Sequence, residues 1–152
     1  MNYFEIFDLE IATDIDLDEI EAKYLAFQQQ FHPDKASTAD IEKSILLNEA
    51  FEVLQKPFSR LCYILQLNGI DILDDEKAPK VDSKTLQEVW DIQEKSLEMS
   101  PQEKEETKED LKNKVKKLID DAAQEINSKD YVSAAQSLIK SKYFNKILKN
   151  FN

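Results

Sequence analysis

Three observations predict an all-α chain, with an N-terminal helical hairpin domain followed by a C-terminal three-helix bundle. Glycine and proline are scarce, one and four among 152 residues. Those five, Pro33, Pro57, Gly69, Pro79 and Pro101, lie between the periodic segments rather than inside them, as helix boundaries should. Within the segments, apolar residues recur every three or four positions, the signature of one helix face. At 41% hydrophobic content the chain can bury one ordinary core or two small ones.

The first long element is a helix carrying Ile20, Tyr24, Phe27 and Phe31 at i, i+4, i+7 and i+11, a single stripe facing a core. It must stop near His32. Pro33 has no amide hydrogen and pushes the residue before it out of the helical region. His32, Pro33 and Asp34 are therefore expected on a loop. A second helix follows, with Ile41, Ile45, Phe51 and Leu54 as its stripe and Leu47 and Ala50 beside them. Packed antiparallel on the first, it presents the loop at the tip of a hairpin. Cys62, the only cysteine, sits in the apolar helical stretch Leu61-Cys62-Tyr63-Ile64-Leu65 and reads as a buried, reduced thiol.

Composition shifts between Asn68 and Pro79, where a glycine, an acidic cluster and a proline interrupt the helices. The domain boundary is placed there, giving domains 1–76 and 77–152. Past Pro79 come three helices. The first runs from about Ser83, a plausible N-cap, to Met99. The second begins at Pro101, with Ser100 as cap and Glu103 as the acid of a capping box, and continues to about Ser128. Its buried stripe is Leu111, Val115, Leu118, Ala122 and Ile126, and the Lys and Glu run from Glu103 to Lys117 is its solvated face. The third spans Lys129 to Asn150. Tyr131, Ala135 and Leu138 lie on one side and Phe144, Ile147, Leu148 and Phe151 roughly opposite, so it either bends or buries two surfaces.

The helix over 83–99 has two competing faces. Val89, Ile92, Ser96 and Met99 cluster on one side, while Leu86, Trp90, Glu94 and Leu97 cluster nearly opposite, with Asp91 and Glu98 at their edge. A three-helix bundle buries only one of them well. The second face then presents Leu and Trp among carboxylates to solvent, the composition of a protein-binding hot spot. A Trp90 that fills the core is the competing reading.

Charge is divided unevenly. Residues 1–76 carry 5 Lys/Arg against 17 Asp/Glu, a net −12, and residues 77–152 carry 15 against 14, a net +1. A phosphate backbone asks for a basic footprint, so nucleic acid is excluded as a partner. No apolar run approaches the roughly 18 residues that cross a bilayer. The acidic N-terminal segment has neither the basic start of a signal peptide nor the Arg-rich face of a transit peptide. A cytoplasmic protein without membrane association is expected.

The chemistry-bearing motif is His32-Pro33-Asp34-Lys35. A His-Pro-Asp string should arise by accident in about one chain in a hundred of this length. As a metal ligand His32 lacks company, since it is the only histidine and a structural zinc site wants four N or S ligands. As a general base it has no evident nucleophile or pocket. A bare turn, in which Pro33 and Asp34 merely end one helix and begin the next, explains the geometry but not the particular triplet. No metal, cofactor or enzymatic activity of the chain itself is expected.

A helical hairpin with His-Pro-Asp at its tip resembles a J-domain, the module by which co-chaperones stimulate ATP hydrolysis in DnaK-class chaperones. The likeness extends to Asn2-Tyr3-Phe4-Glu5-Ile6-Phe7-Asp8-Leu9, to Leu47-Asn48-Glu49-Ala50-Phe51-Glu52-Val53-Leu54 and to Pro57-Phe58-Ser59-Arg60-Leu61. The run from Arg60 to Asp71 is similar to HscB, the co-chaperone of iron–sulfur cluster assembly. That resemblance covers residues 1–71 and 81–149. It implies a chaperone-binding set of His32, Pro33, Asp34 and Lys35 with Lys23, and an HscA/DnaK-class ATPase as partner. It also implies a second partner, the IscU-type scaffold on which clusters are built, held by Leu86, Trp90, Asp91, Glu94, Glu98 and Tyr143. The chain departs from the family in two places. J-domains usually line the second helix with Lys and Arg, whereas only Lys23 is basic between Leu17 and Phe31, and Gln87 stands where a Met is familiar. A J-protein for a different client and a structural adaptor that activates no ATPase are the remaining readings.

Overall fold

The computed structural model describes residues 1–30 and 37–151. Among them are seven helices and no strand: α1 (Tyr3–Ile6), α2 (Leu17–Gln30), α3 (Thr38–Leu54), α4 (Pro57–Leu67), α5 (Ser83–Ser96), α6 (Pro101–Asn127) and α7 (Tyr131–Lys149). They form two compact units, Met1–Ile64 and Leu65–Asn152.

In the first unit α3 packs against both α1 and α2. Tyr24 of α2 stacks on Phe51 of α3 with ring centroids 4.2 Å apart, and its hydroxyl donates to Asn48. Farther along α2, Phe27 lies under the Lys43 ammonium at 5.4 Å. Residue numbers therefore rise along α2 as they fall along α3, the antiparallel pairing of a hairpin. Ile20 is fully buried, while Tyr24 and Phe27 are half-buried; Phe31 lies outside the described residues.

The stripe expected on α3 is corrected. Ile41 and Ile45 are 47% and 54% exposed, and the buried residues are Leu47, Ala50 and Leu54. At about 100° per residue, Ala50 and Leu54 fall within about 60° of Leu47, whereas Ile41 and Ile45 stand about 120° and 160° away. The start of α3 is set by a capping box absent from the sequence reading: Ser37 Oγ accepts from the Asp40 amide and the Asp40 carboxylate accepts from the Ser37 amide, both at 3.2 Å.

α1 is held on α4 by aromatic stacking of Tyr3 on Tyr63, 4.5 Å between centroids, and by the Tyr3 amide donating to the Tyr63 hydroxyl at 3.0 Å. The unit's central polar tie is Arg60, buried in α4. Its Nε donates to the Thr13 carbonyl at 2.9 Å and its Nη1 to the Leu54 carbonyl at 2.8 Å. Thr13 belongs to the α1–α2 connection and Leu54 ends α3, where unpaired carbonyls concentrate negative potential. Burial lowers the Arg60 pKa and the charge of Asp14 works against that shift. Cys62 is buried, as the apolar stretch around it predicts.

Three helix ends share the same closing geometry, a 6→1 and a 5→2 hydrogen bond around a left-handed residue. After α4 these are Ile70 N–H to Leu65 O and Gly69 N–H to Gln66 O, with Gly69 at φ +85°. After α1 and α6 the left-handed residues are Asp8 at +55° and Lys129 at +63°.

In the second unit α7 packs along α6 and also touches α5. Its buried residues, Ala134, Ala135, Leu138, Ile139, Ser141, Phe144 and Ile147, fall on nearly every side of the helix. Of the two expectations for α7, burial of more than one surface is the outcome. The buried side moves round the helix, from Ala134, Ala135, Leu138 and Ile139 in its first half to Phe144 and Ile147 in its second, which is why no single stripe is visible in it. α6 buries Leu111, Ala122 and Ile126, with Val115 and Leu118 half-buried. Its N-cap is Ser100 with Pro101 in the first turn, but Glu103 accepts from Ser100 Oγ at 3.2 Å rather than completing a capping box with the backbone.

Removing the guanidinium takes away its bonds to the Thr13 and Leu54 carbonyls in a buried site. Arg60→Met should lower unfolding stability by about 2–4 kcal/mol, measured by urea denaturation followed by circular dichroism.

Candidate functional site

α5 is the element whose two faces had to be told apart. Val89 and Ile92 rest on the buried cluster of Leu111, Phe144 and Ile147. That side is the core side. The opposite side is open: Leu86 is 45% exposed, Trp90 60% and Leu97 87%. The indole is therefore a surface group and not core filler.

The start of α5 differs from expectation. Its N-cap is Asp82, which accepts from the Thr85 amide at 2.7 Å, and Ser83 is the first helical residue. Asp82 also pairs with Lys140 of α7 at 3.4 Å. One carboxylate thus starts the helix and ties it to its neighbour. The hydrogen bonds from Thr85 hold the Asp82 carboxyl below its ordinary pKa, with burial opposing them and Lys140 adding a smaller lowering effect. At the other end α5 closes at Ser96, three residues before the expected Met99, with Leu97 as C-cap. The Glu98 and Met99 amides continue as i→i+3 turns to Lys95 and Ser96. Glu98 therefore lies just past the helix.

Asp91, Glu94 and Glu98 are exposed along the rim of the open face, and Asp91 accepts from Gln87 Nε2 at 2.9 Å. Tyr143, 36% exposed on α7, lines a cleft of about 280 Å³ together with Leu86, Ile72, Pro79, Val81 and Lys142. Leu86, Trp90, Asp91, Glu94 and Tyr143 are thereby brought to one continuous region. The sequence reading missed the cleft wall, since Ile72, Pro79 and Val81 come from a segment without helical period. Val81, a lone apolar residue among charged ones, was the available signal.

The residues expected to bind a chaperone have a different status. His32, Pro33, Asp34 and Lys35 lie outside the described residues. Lys23 is described, and its ammonium is engaged within its own unit. It donates to the Phe7 carbonyl at 2.6 Å, at the C-terminal end of α1, and pairs with Glu19 at 3.1 Å. Besides Lys23, α2 has no basic residue. Among the described residues no helix is long and apolar enough to cross a membrane.

Comparison with known proteins covers both units. The DnaJ domain family matches residues 2–63, and the HSCB C-terminal oligomerisation domain family matches residues 81–152. The chain is 34% identical to the co-chaperone protein HscB homolog of Acinetobacter baylyi over 158 aligned positions, spanning 100% of this chain and 90% of the relative. Its fold is similar to the crystal structure of human co-chaperone protein HscB, with a TM-score of 0.87 and 28% identity over 99% of this chain and 80% of that one. It is also similar to the Jac1 co-chaperone from Saccharomyces cerevisiae, with a TM-score of 0.86 and 26% identity over 99% of this chain and 91% of that one.

Two outcomes follow from this geometry. Trp90→Ala should change stability by less than about 0.5 kcal/mol, read by circular dichroism melts, because the indole is mostly in water. The stabilising contribution of the Asp82 charge is complete above the ordinary carboxylate value of 3.8 and is lost as pH falls through its lowered folded value. Asp82→Asn keeps a capping oxygen but no charge. It should be less stable than the parent at neutral pH and converge on it in strong acid, when both are melted across a pH series.

Proposed function

This chain belongs to the HscB family of J-domain co-chaperones, and on that premise we propose that it delivers an IscU-type iron–sulfur scaffold protein to an HscA/DnaK-class chaperone and stimulates that chaperone's ATPase. The N-terminal domain, residues 1–76, engages the chaperone through His32, Pro33, Asp34 and Lys35. Lys23 adds to this surface only the charge left over from its bonds to Phe7 and Glu19. The C-terminal domain, residues 77–152, holds the scaffold through Leu86, Trp90, Asp91, Glu94, Glu98 and Tyr143. ATP is hydrolysed in the chaperone, and the co-chaperone is not the catalyst of that reaction.

The observation that carries this reading is the uncovered face of α5. A chain that packs Val89 and Ile92 against its core yet leaves Leu86 and Trp90 largely in water, among carboxylates, has the composition of a protein-docking site. In this family the module that addresses the chaperone and the face that holds a client share one polypeptide. Each partner then raises the effective concentration of the other, so delivery and stimulation are coupled by covalent linkage alone.

Single-turnover ATP hydrolysis by a purified HscA-class chaperone tests the proposal, with and without an IscU-type scaffold. Asp34→Asn should abolish stimulation while scaffold binding is retained. Trp90→Ala should weaken scaffold binding roughly tenfold or more, with scaffold-independent stimulation intact. Unchanged hydrolysis with Asp34→Asn would mean that the chain acts as an adaptor and not as an ATPase activator. Unchanged scaffold affinity with Trp90→Ala would mean that the scaffold docks elsewhere, and no scaffold binding by the parent chain would point to a different client.

A further inference from the structure

The face beside the scaffold-docking residues carries a second set of charges, and their placement can be read from the two helices. On α5 the core direction is given by Thr85, Val89 and Ile92. At about 100° per residue, Leu86 lies to one side of that direction and Glu88 to the other. Leu86 shares its cleft with Tyr143 of α7, and Glu88 pairs with Lys114 of α6. α7 therefore flanks α5 on the Leu86 side and α6 on the Glu88 side. Passing over the exposed surface from the α7 side, the order is Leu86, Trp90, Glu94, then Asp91.

The same construction on α7 extends the surface the other way. Lys140 pairs with Asp82 and marks the side of α7 that faces α5. Tyr143 lies beside it, and beyond Tyr143 come Lys146, then Lys142 and Lys149, all exposed. Lys142 is paired with Asp75 at 3.7 Å. Among the described residues neither Lys146 nor Lys149 makes an ion pair. The surface thus grades from ammonium groups on α7, through Tyr143, Leu86 and Trp90, to the carboxylates of Glu94 and Asp91 on α5, with Lys84 and Lys95 exposed beyond them toward the α6 edge.

We propose that this docking surface is polarised, with Lys146 and Lys149 forming a basic flank that meets an acidic patch on the scaffold while the α5 carboxylates meet a basic one. The inference deepens the scaffold-docking reading and rests on it. An apolar centre alone binds in any rotation that covers it. Opposite charges on its two sides admit one rotation and repel the reverse, so the flanks select orientation and speed encounter. The partner that fits is a folded protein whose apolar contact point lies between an acidic and a basic patch.

The test measures binding of a purified IscU-type scaffold to the full chain by association and dissociation kinetics, at low salt and at about 0.5 M NaCl, where exposed charges are screened. Lys146→Glu with Lys149→Glu should weaken binding about five- to tenfold at low salt, mainly through slower association, and by less than about twofold at high salt. Lys112→Glu with Lys116→Glu is the control. It makes the same change in net charge on exposed positions of α6 that point away from α5, and should bind like the parent. Lys146→Gln with Lys149→Gln, milder at a helix C-terminus, should give an intermediate loss and carries the test if the charge reversal unfolds α7. Equal losses in the α6 and α7 pairs, or no loss in the α7 pairs, would overturn the basic flank while leaving the scaffold reading intact. Absence of scaffold binding by the parent chain would overturn both.

Discussion

Val89 and Ile92 rest on Leu111, Phe144 and Ile147, and that contact fixes the rotation of α5 about its own axis. A turn of about 100°, one residue, would bring Trp90 toward the core and move Val89 to the α6 flank where Glu88 now stands. Two polar ties hold the same setting from either side. Lys114 reaches Glu88 across the α6 flank while lying over the Phe144 ring at 4.5 Å, and Lys140 reaches the capping carboxylate of Asp82 from α7. These ion pairs are partly exposed and individually weak. Their role is directional, because the apolar contact supplies the stability and they fix which way the helix faces.

The first unit is organised by the opposite means. Its central tie is a buried cation, Arg60, which satisfies carbonyls of the α1–α2 connection and of the end of α3. Lys23 serves a related purpose, placing its ammonium on the Phe7 carbonyl where α1 ends. Positive charge in this acidic unit is thereby used internally to join short elements, and α2 offers little of it to an approaching partner. Steering of a partner by a basic face on this helix is correspondingly weak.

Most of the helical architecture was legible because prolines and the one glycine punctuate it, and because α2 and α6 carry clean stripes that each bury one side. The errors have physical sources. Ile41 and Ile45 satisfy an apolar count on α3 but stand on the wrong side of Leu47, which a count without angles does not register. Asp82 and Ser83 are both good caps, and only the hydrogen bond to Thr85 decides between them. α7 showed two apolar sides because its first half buries one and its second half the other, a tertiary property that no single stripe encodes. On α5 the two faces were visible, but the choice between them depended on what α6 and α7 present, and so did the cleft wall of Ile72, Pro79 and Val81. The triplet His32-Pro33-Asp34 remains a reading of sequence and family.

The uncovered position of Trp90 has an optical consequence. It is the chain's only tryptophan, and it stands 60% in solvent on the native surface. Its emission spectrum is therefore already close to that of an unfolded chain and reports poorly on loss of the core. Burial of the indole beneath another protein would instead shift the emission to shorter wavelength, so the native chain carries its own fluorophore for occupancy of this face, without a label.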